Sequence, residues 1–269
     1  MGSFAHASWR PTPWEVKTLA RQQHVQNLGR VDQLWPWLAQ HHGALQAVDA
    51  PHATHPERFT YDELSRRITA AAAGFRSLGI HEGEVVGLFA ENSPRWLIAD
   101  QGLMRAGAAD AVRGASAPVE ELRYILEDSH AVALVVQNAD LWKRLELPGN
   151  LRRQLRFVLQ LEGDAQDQDV ICWADFLAAG AGHRAPDPTA GRDVASAAST
   201  TATILYTSGT TGQPKGVPLS HANLLHQMRC LSCVARPEPG EPVLSVLPIW
   251  HAYERSAEYY FFSCACSQS

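Results

Sequence analysis

The fold class is indicated most clearly by residues 58–112, which read RFTYDELSRRITAAAAGFRSLGIHEGEVVGLFAENSPRWLIADQGLMRAGAADAV. Thr60 and Glu63 are spaced as a capping box ahead of a run with helical apolar periodicity, so they predict a helix start. Gly79 follows this run and is the residue type that most often ends a helix. Val85–Phe89 is then a short apolar segment of strand length. The stretch therefore predicts a helix followed by a buried strand.

The alternation of helices and strands continues along the chain. Ser93 and Pro94 predict the N-cap and first residue of a helix that ends near Gly107. Further elements are expected in order: a strand at 108–112, a helix at 118–128, and strands at 131–136 and 155–161. Short buried strands separated by helices are typical of βαβ units. We therefore predict an α/β fold with mostly parallel sheets flanked by helices.

Composition divides the chain into four parts. Residues 180–200 are rich in Gly, Ala, Pro, Asp and Ser, which predicts an exposed connector. Residues 1–31 are interpreted as an N-terminal extension and residues 32–179 as the first α/β region. A second sheet region is expected to begin near Thr201 and to occupy residues 201–269.

Charge and hydropathy exclude several classes of protein. The formal net charge is −5, from 23 basic and 28 acidic residues, so the chain lacks the basic field that nucleic-acid binding needs. No apolar run approaches the ~18 residues that span a bilayer, and the N-terminus lacks a secretory pattern. A cytoplasmic address is expected. The C-x-x-C of Cys230 and Cys233 fits an apolar helix stripe better than a zinc site.

The segment TSGTTGQPKG at residues 207–216 carries the chemistry. Its glycines let backbone N–H groups turn toward an anion, and its hydroxyls and lysine add further donors to phosphate oxygens. Pro214 and Gly216 flank the lysine, so the segment is not a Walker A loop. A flexible hairpin without a ligand is the alternative. The candidate cofactor-binding residues are Thr207, Ser208, Gly209, Thr210, Thr211, Gly212 and Lys215. The loop is expected to be exposed between a strand and a helix, with the helix beginning near Ser220.

This segment resembles the phosphate-binding signature of the adenylate-forming superfamily, which includes acyl-CoA synthetases, luciferases and peptide-synthetase adenylation domains. The continuation VPLSHANL at 217–224 and the earlier segments 59–64, 87–94 and 115–129 agree in order. The likeness runs from about Asp32 onward. LPIWHAYER at 247–255 resembles a stretch of long-chain fatty acyl-CoA and acyl-ACP synthetases, and VRGAS at 112–116 points to the same branch.

The resemblance implies an acid–thiol ligase. A carboxylate oxygen would attack the α-phosphate of Mg-ATP, pyrophosphate would leave, and a thiol of coenzyme A or an acyl-carrier-protein pantetheine would then displace AMP. The loop would hold the departing pyrophosphate, with Thr211 toward Mg²⁺. Trp250 and His251 would stand at the mouth of an acyl pocket and bind the fatty acid. The alternative is that Trp250 is only core and that Glu254 with Arg255 is only a helix-start pair.

Later motifs of the superfamily are absent from these 269 residues: the adenine and Mg²⁺ motif, the ribose-binding Asp and the C-terminal catalytic Lys. We therefore expect the chain to be a portion of a longer ligase and to be inactive alone. A ligase for another carboxylic acid and a non-catalytic remnant stay open as alternatives. Chain-length preference, the thiol acceptor and the oligomeric state are not determined by the sequence.

Overall fold

The computed structural model describes residues 12, 13, 16, 20, 23–53, 56–164, 167–183, 194–207, 213–232 and 234–269. Its helices are α1 (Gln23–Gln26), α2 (Leu34–His42), α3 (Tyr61–Ser77), α4 (Pro94–Arg105), α5 (Val119–Asp128), α6 (Ala139–Leu145), α7 (Gly149–Gln154), α8 (Trp173–Ala181), α9 (Val194–Ser199), α10 (His221–Leu231) and α11 (Ala252–Ser263). Its strands are β1 (Gln46–Ala50), β2 (Glu57–Thr60), β3 (Val85–Phe89), β4 (Ala109–Arg113), β5 (Ala133–Val136), β6 (Val158–Gln160), β7 (Val170–Cys172), β8 (Thr201–Thr207), β9 (Lys215–Ser220), β10 (Pro242–Val243) and β11 (Ser267–Gln268).

The larger sheet has seven strands in the order β7-β6-β5-β3-β4-β8-β9. All neighbours from β7 to β8 pair in parallel, and β9 pairs antiparallel to β8. The predicted α/β fold with a mostly parallel sheet is therefore confirmed. Parallel pairing also brings the last residues of β3, β4 and β8, which are Phe89, Arg113 and Thr207, to one side of the sheet. We refer to this side as the carboxyl edge.

A smaller sheet joins segments from opposite ends of the described chain, in the order β10-β11-β1-β2. β1 pairs antiparallel with β2 and parallel with β11. The expected start of a second sheet near Thr201 is wrong, because β8 begins there and pairs with β4 in the larger sheet. A sequence does not show which earlier strand a later strand will join.

Local signals placed the helix starts correctly. The Thr60 side chain accepts a hydrogen bond from the Glu63 N–H, while the Glu63 carboxylate accepts from the Thr60 N–H at 2.9 Å. Ser93 caps α4 in the same way, by accepting from the N–H of Trp96. α3 lies against α4 and α8, and the three helices contribute to one apolar cluster with strands of both sheets.

The described parts of the expected extension and of the connector contain buried residues. Val25 in the expected extension is fully buried, and so is Arg30, whose Nη1 donates to the Thr200 hydroxyl at 2.9 Å. In the connector, α9 buries Ala197. Both segments therefore take part in the fold. No helix in the described part of the chain has the length and apolarity that crossing a membrane requires.

Candidate functional site

The segment at residues 207–216 was predicted to bind phosphate, and its two described ends meet at the carboxyl edge. Thr207, the last residue of β8, lies opposite Lys215, the first residue of β9, and both side chains are exposed. The segment was expected to connect a strand to a helix, and this is wrong, because β9 intervenes. The helix α10 begins at His221 with Ser220 as its N-cap, as predicted. Pro218 has no N–H to donate to a neighbouring strand. It is tolerated in β9 because β9 is the edge strand of the described sheet.

Two of the seven candidate cofactor residues can be placed. Thr207 and Lys215 stand at the two ends of the loop, whereas the other five, Ser208, Gly209, Thr210, Thr211 and Gly212, lie outside the described residues. An exposed hydroxyl and an exposed ammonium at the mouth of the loop fit a polyphosphate, which is recognised by such donors. The assignment of Thr211 to Mg²⁺ stays a prediction. Among the described residues, no group of three or more His, Cys, Asp or Glu is arranged to hold a metal.

Residues 248–251 form a turn at the same edge, which we call the Trp250 turn. The loop that follows β3 holds it there. The Asn92 side chain accepts from the Ile249 N–H at 2.9 Å and donates to the Leu247 carbonyl at 2.7 Å. The Trp250 indole packs on Gly114, directly after β4, where an added Cβ would lie 2.5 Å from the ring. Sequence analysis included Gly114 in a family segment without a role. Its role is to leave room for the indole.

His251 is exposed and caps the helix that follows. Its Nδ1 accepts from the N–H of Tyr253 at 3.5 Å, and α11 begins at the next residue. The structure thus gives His251 a local capping role, and its contact with an acid substrate stays a prediction. Trp250 is half-buried, so it is neither a fully buried core residue nor a free surface residue.

Arg255 is the functional candidate that sequence analysis missed, because it was considered only as half of a helix-start pair. Its side chain is fully buried, forms an ion pair with Asp100 of α4 and donates a hydrogen bond to the Asp110 carboxyl of β4. Its Nη1 donates to the Thr203 hydroxyl of β8 at 2.7 Å. The guanidinium also lies over the Trp96 ring, 5.1 Å from its centroid. The available signal was the presence of two aspartates at otherwise apolar positions of a helix and a strand.

Burial dominates the electrostatics of this cluster. Burial raises the pKa of Asp110 to about 8, although the charge of Arg255 lowers it. Burial likewise raises the pKa of Glu258 well above its usual range, and the nearby Asp100 adds to the effect. One guanidinium cannot neutralise several buried carboxyl groups, so protons stay on some of them.

Two cavities border α11. The first, of about 470 Å³, lies beside the Trp250 turn, and the Glu258 side chain reaches it among mainly apolar residues that include Val48, Ala50, Pro94, Leu97, Ile249 and Phe262. The second is a groove of about 660 Å³ between α10 and α11, with Leu224, Tyr253, Ala257 and Phe261 in its walls. Residues before and after Trp250 and His251 in the sequence therefore line these two cavities. Both cavities have the size and the mainly apolar lining that suit apolar ligands.

Cys230 lies near the end of α10 and is exposed. The helix assignment for this cysteine is confirmed. Its C-x-x-C partner Cys233 lies outside the described residues.

Fold and site define an α/β protein in which Thr207 and Lys215, the two ends of the Gly- and Thr-rich segment, share the carboxyl edge with the Trp250 turn. The chain belongs to the AMP-binding enzyme family, whose family model matches residues 36–268. The resemblance found in the sequence is thereby confirmed.

Two curated relatives carry acid–thiol ligase names. Long-chain-fatty-acid–[acyl-carrier-protein] ligase AEE15, chloroplastic, of Arabidopsis thaliana is 39% identical over 250 residues, which cover 88% of this chain and 34% of the relative. Long-chain-fatty-acid–CoA ligase FadD15 of Mycobacterium tuberculosis is 32% identical over 200 residues, which cover 73% of this chain and 32% of the relative. The chain thus spans about a third of the length of these relatives.

A solved structure shows the same fold. The long-chain-fatty-acid–CoA ligase FadD1 of Archaeoglobus fulgidus superposes with a TM-score of 0.75 at 22% identity, over 89% of this chain and 46% of that one. This chain therefore has the fold of about half of that structure.

Proposed function

We propose that this chain carries the phosphate-binding and acyl-side elements of a ligase that activates a long-chain fatty acid as its acyl-AMP and transfers it to a thiol. One observation carries the proposal. The ends of the Gly- and Thr-rich loop and the Trp250 turn lie at the same carboxyl edge, because β8 and β4 are parallel neighbours. A carboxylate and a polyphosphate can react only if one surface holds both.

The phosphate side of the reaction falls to the hairpin. Backbone N–H groups of Gly209 and Gly212, the loop hydroxyls and the Lys215 ammonium would bind the polyphosphate of ATP, with Thr211 directed to Mg²⁺. Bound ATP supplies an electrophilic phosphorus and pyrophosphate as leaving group. Charge grows on the departing oxygens, so donors held in place beforehand lower the barrier.

The acid side falls to the Trp250 turn and the cavities beside it. The indole offers apolar surface, and a cavity of about 470 Å³ adjoins Ile249. The names of both relatives include long-chain fatty acids, which supports this substrate class over another carboxylic acid. The acceptor is a thiol. One relative is named for acyl-carrier protein and the other for coenzyme A, so both acceptors belong to the proposal. A cytoplasmic address stays an expectation, and the Arabidopsis relative is named chloroplastic.

The test is acid-dependent exchange of labelled pyrophosphate into ATP. It is measured on the full-length protein that the gene encodes. The acids tested are octanoate, palmitate, benzoate and an amino acid, each with and without Mg²⁺. We expect exchange with palmitate that exceeds exchange with benzoate or the amino acid. Exchange only with an aryl or amino acid would move the protein to another adenylating branch. No exchange with any acid would favour the non-catalytic remnant.

A further inference from the structure

Arg255 lies one helical turn after the His251 cap. Its backbone N–H donates to the His251 carbonyl at 3.1 Å, as the first bonds of a helix require. Arg255 is therefore linked through the first turn of α11 to His251 and the Trp250 turn. This side chain is fully buried, so solvent does not compete for its hydrogen bonds.

The guanidinium binds the two strands that lead to the site. Its Nη1 contact is Thr203, in the strand β8 that continues to Thr207 and the hairpin loop. Its Nη2 donates to Asp110 at 3.0 Å, in the strand β4 that continues toward Gly114, the residue beneath the Trp250 indole. A third contact, from Nε to the Tyr259 hydroxyl at 2.9 Å, ties the group back to its own helix.

We propose that Arg255 is a positioning residue, which sets the distance between the Trp250 turn and the phosphate hairpin by binding α11 to β8 and β4 at once. The inference rests on the function proposed above. Arg255 would touch neither substrate. Its proposed role is to fix the relative position of the two halves of the site.

Stability alone does not account for such a group. A buried ion pair is often no more stabilising than well-packed apolar side chains of the same volume, because desolvation offsets the attraction. The planar guanidinium supplies direction, since its five N–H donors point in fixed orientations. Here they reach the strands β4 and β8 and the helices α4 and α11. A lysine in its place keeps the charge and loses the fixed geometry.

The experiment compares Arg255→Lys with the wild type in the protein as its own gene encodes it. Folded fraction, binding of ATP alone, binding of palmitate alone and palmitate-dependent pyrophosphate exchange are measured separately. The matched control is Arg30→Lys. Arg30 is equally buried, pairs with Asp32 at 2.9 Å and donates to Thr200 at the opposite, amino end of β8.

We expect Arg255→Lys to bind each substrate alone within about threefold of wild type and to lose at least about tenfold in exchange kcat per folded molecule. Arg30→Lys should lower stability and leave kcat unchanged. Thr203→Val removes the hydroxyl that accepts from Arg255 and bonds to Asp110, at nearly constant volume, and should lower kcat about threefold to tenfold. If Arg255→Lys does not fold, Thr203→Val decides alone.

An unchanged kcat in the folded Arg255→Lys and Thr203→Val proteins, with an active wild type, would overturn the positioning role and leave the proposed function intact. Equal losses of kcat in Arg30→Lys and Arg255→Lys would also overturn it, because any buried arginine would then have the same effect. A wild type without exchange for any acid would instead overturn the proposed function, and this inference with it.

Discussion

Lys215 stands at the first position of β9, with an exposed side chain at the mouth of the hairpin loop. An ammonium group at this place can approach phosphate oxygens without displacing any packed group. This function of Lys215 can be tested by a substitution that removes the charge and keeps the strand β9.

Lys215→Ala should lower acid-dependent pyrophosphate exchange roughly tenfold to a hundredfold, because a charge-assisted hydrogen bond contributes about 1.5–3 kcal/mol. Lys143→Ala serves as the control, since Lys143 is exposed on α6, which follows β5, and β3 and β4 lie between β5 and β8 in the sheet. Wild-type exchange rates in the Lys215→Ala protein would show that this lysine does not bind the polyphosphate.

Side chains with local roles were predictable, and those with distant partners were not. Thr60, Ser93 and Ser220 announce helix starts because a cap involves residues only three positions apart. Arg255 finds its partners 155 and 145 positions earlier in the chain. Nothing in the periodicity of either segment specifies that such a pair will meet.

At the scale of elements, α8 packs on α3 through a glycine. A Cβ added at Gly180 would lie 2.0 Å from the Ala70 carbonyl oxygen, so the two backbones approach too closely for any larger residue. Gly182, just beyond the same helix, has no atom within 4 Å of such a Cβ.

Gly180→Ala should therefore lower the free energy of unfolding by at least about 1–3 kcal/mol, because the helices must separate to admit a methyl group. Gly182→Ala should change it by less than about 0.5 kcal/mol. Urea denaturation of both variants measures the difference. Equal stabilities would mean that α8 is not held against α3 in solution.

The elements themselves illustrate what a sequence encodes locally. The strand at Val85–Phe89 was located with its exact bounds, and the helix after it within a residue. The helix before it was expected from Arg58 to Gly79, which is wrong at its start, because Glu57–Thr60 forms β2 and α3 begins at Tyr61. The strand β9 was missed, because KGVPLS lacks a long apolar run and contains Pro218. Only its pairing with β8 makes it a strand, and pairing is a tertiary property.

At the scale of the molecule, the buried proton of Asp110 links folding to pH. Burial raises the pKa of Asp110 to about 8, whereas an unfolded aspartate titrates near its ordinary value of 3.8. The folded chain therefore binds one more proton than the unfolded chain between about pH 4 and 8. This contribution to stability is complete below pH 4 and is lost as the pH rises to 8.

Asp110→Asn should make stability less sensitive to pH in this window, by up to about 1.4 kcal/mol per pH unit at its centre. The control is Asp62→Asn, the same substitution at an exposed position of α3. The measurement is urea denaturation at several pH values from 4 to 9. Parallel profiles for wild type and Asp110→Asn would mean that Asp110 is ionised in the folded protein.

The smaller sheet has a consequence for the order of folding. Its strand β1 pairs with β11, so that Val48 lies opposite Gln268. On a ribosome β1 emerges well before β11, and until β11 arrives it has only the short hairpin with β2, which is marginal by itself. Strands β3 to β6 find their partners sooner. Pulse-labelling hydrogen exchange during refolding should protect β3 and β5 before β1, and docking of the small sheet should be the slow step.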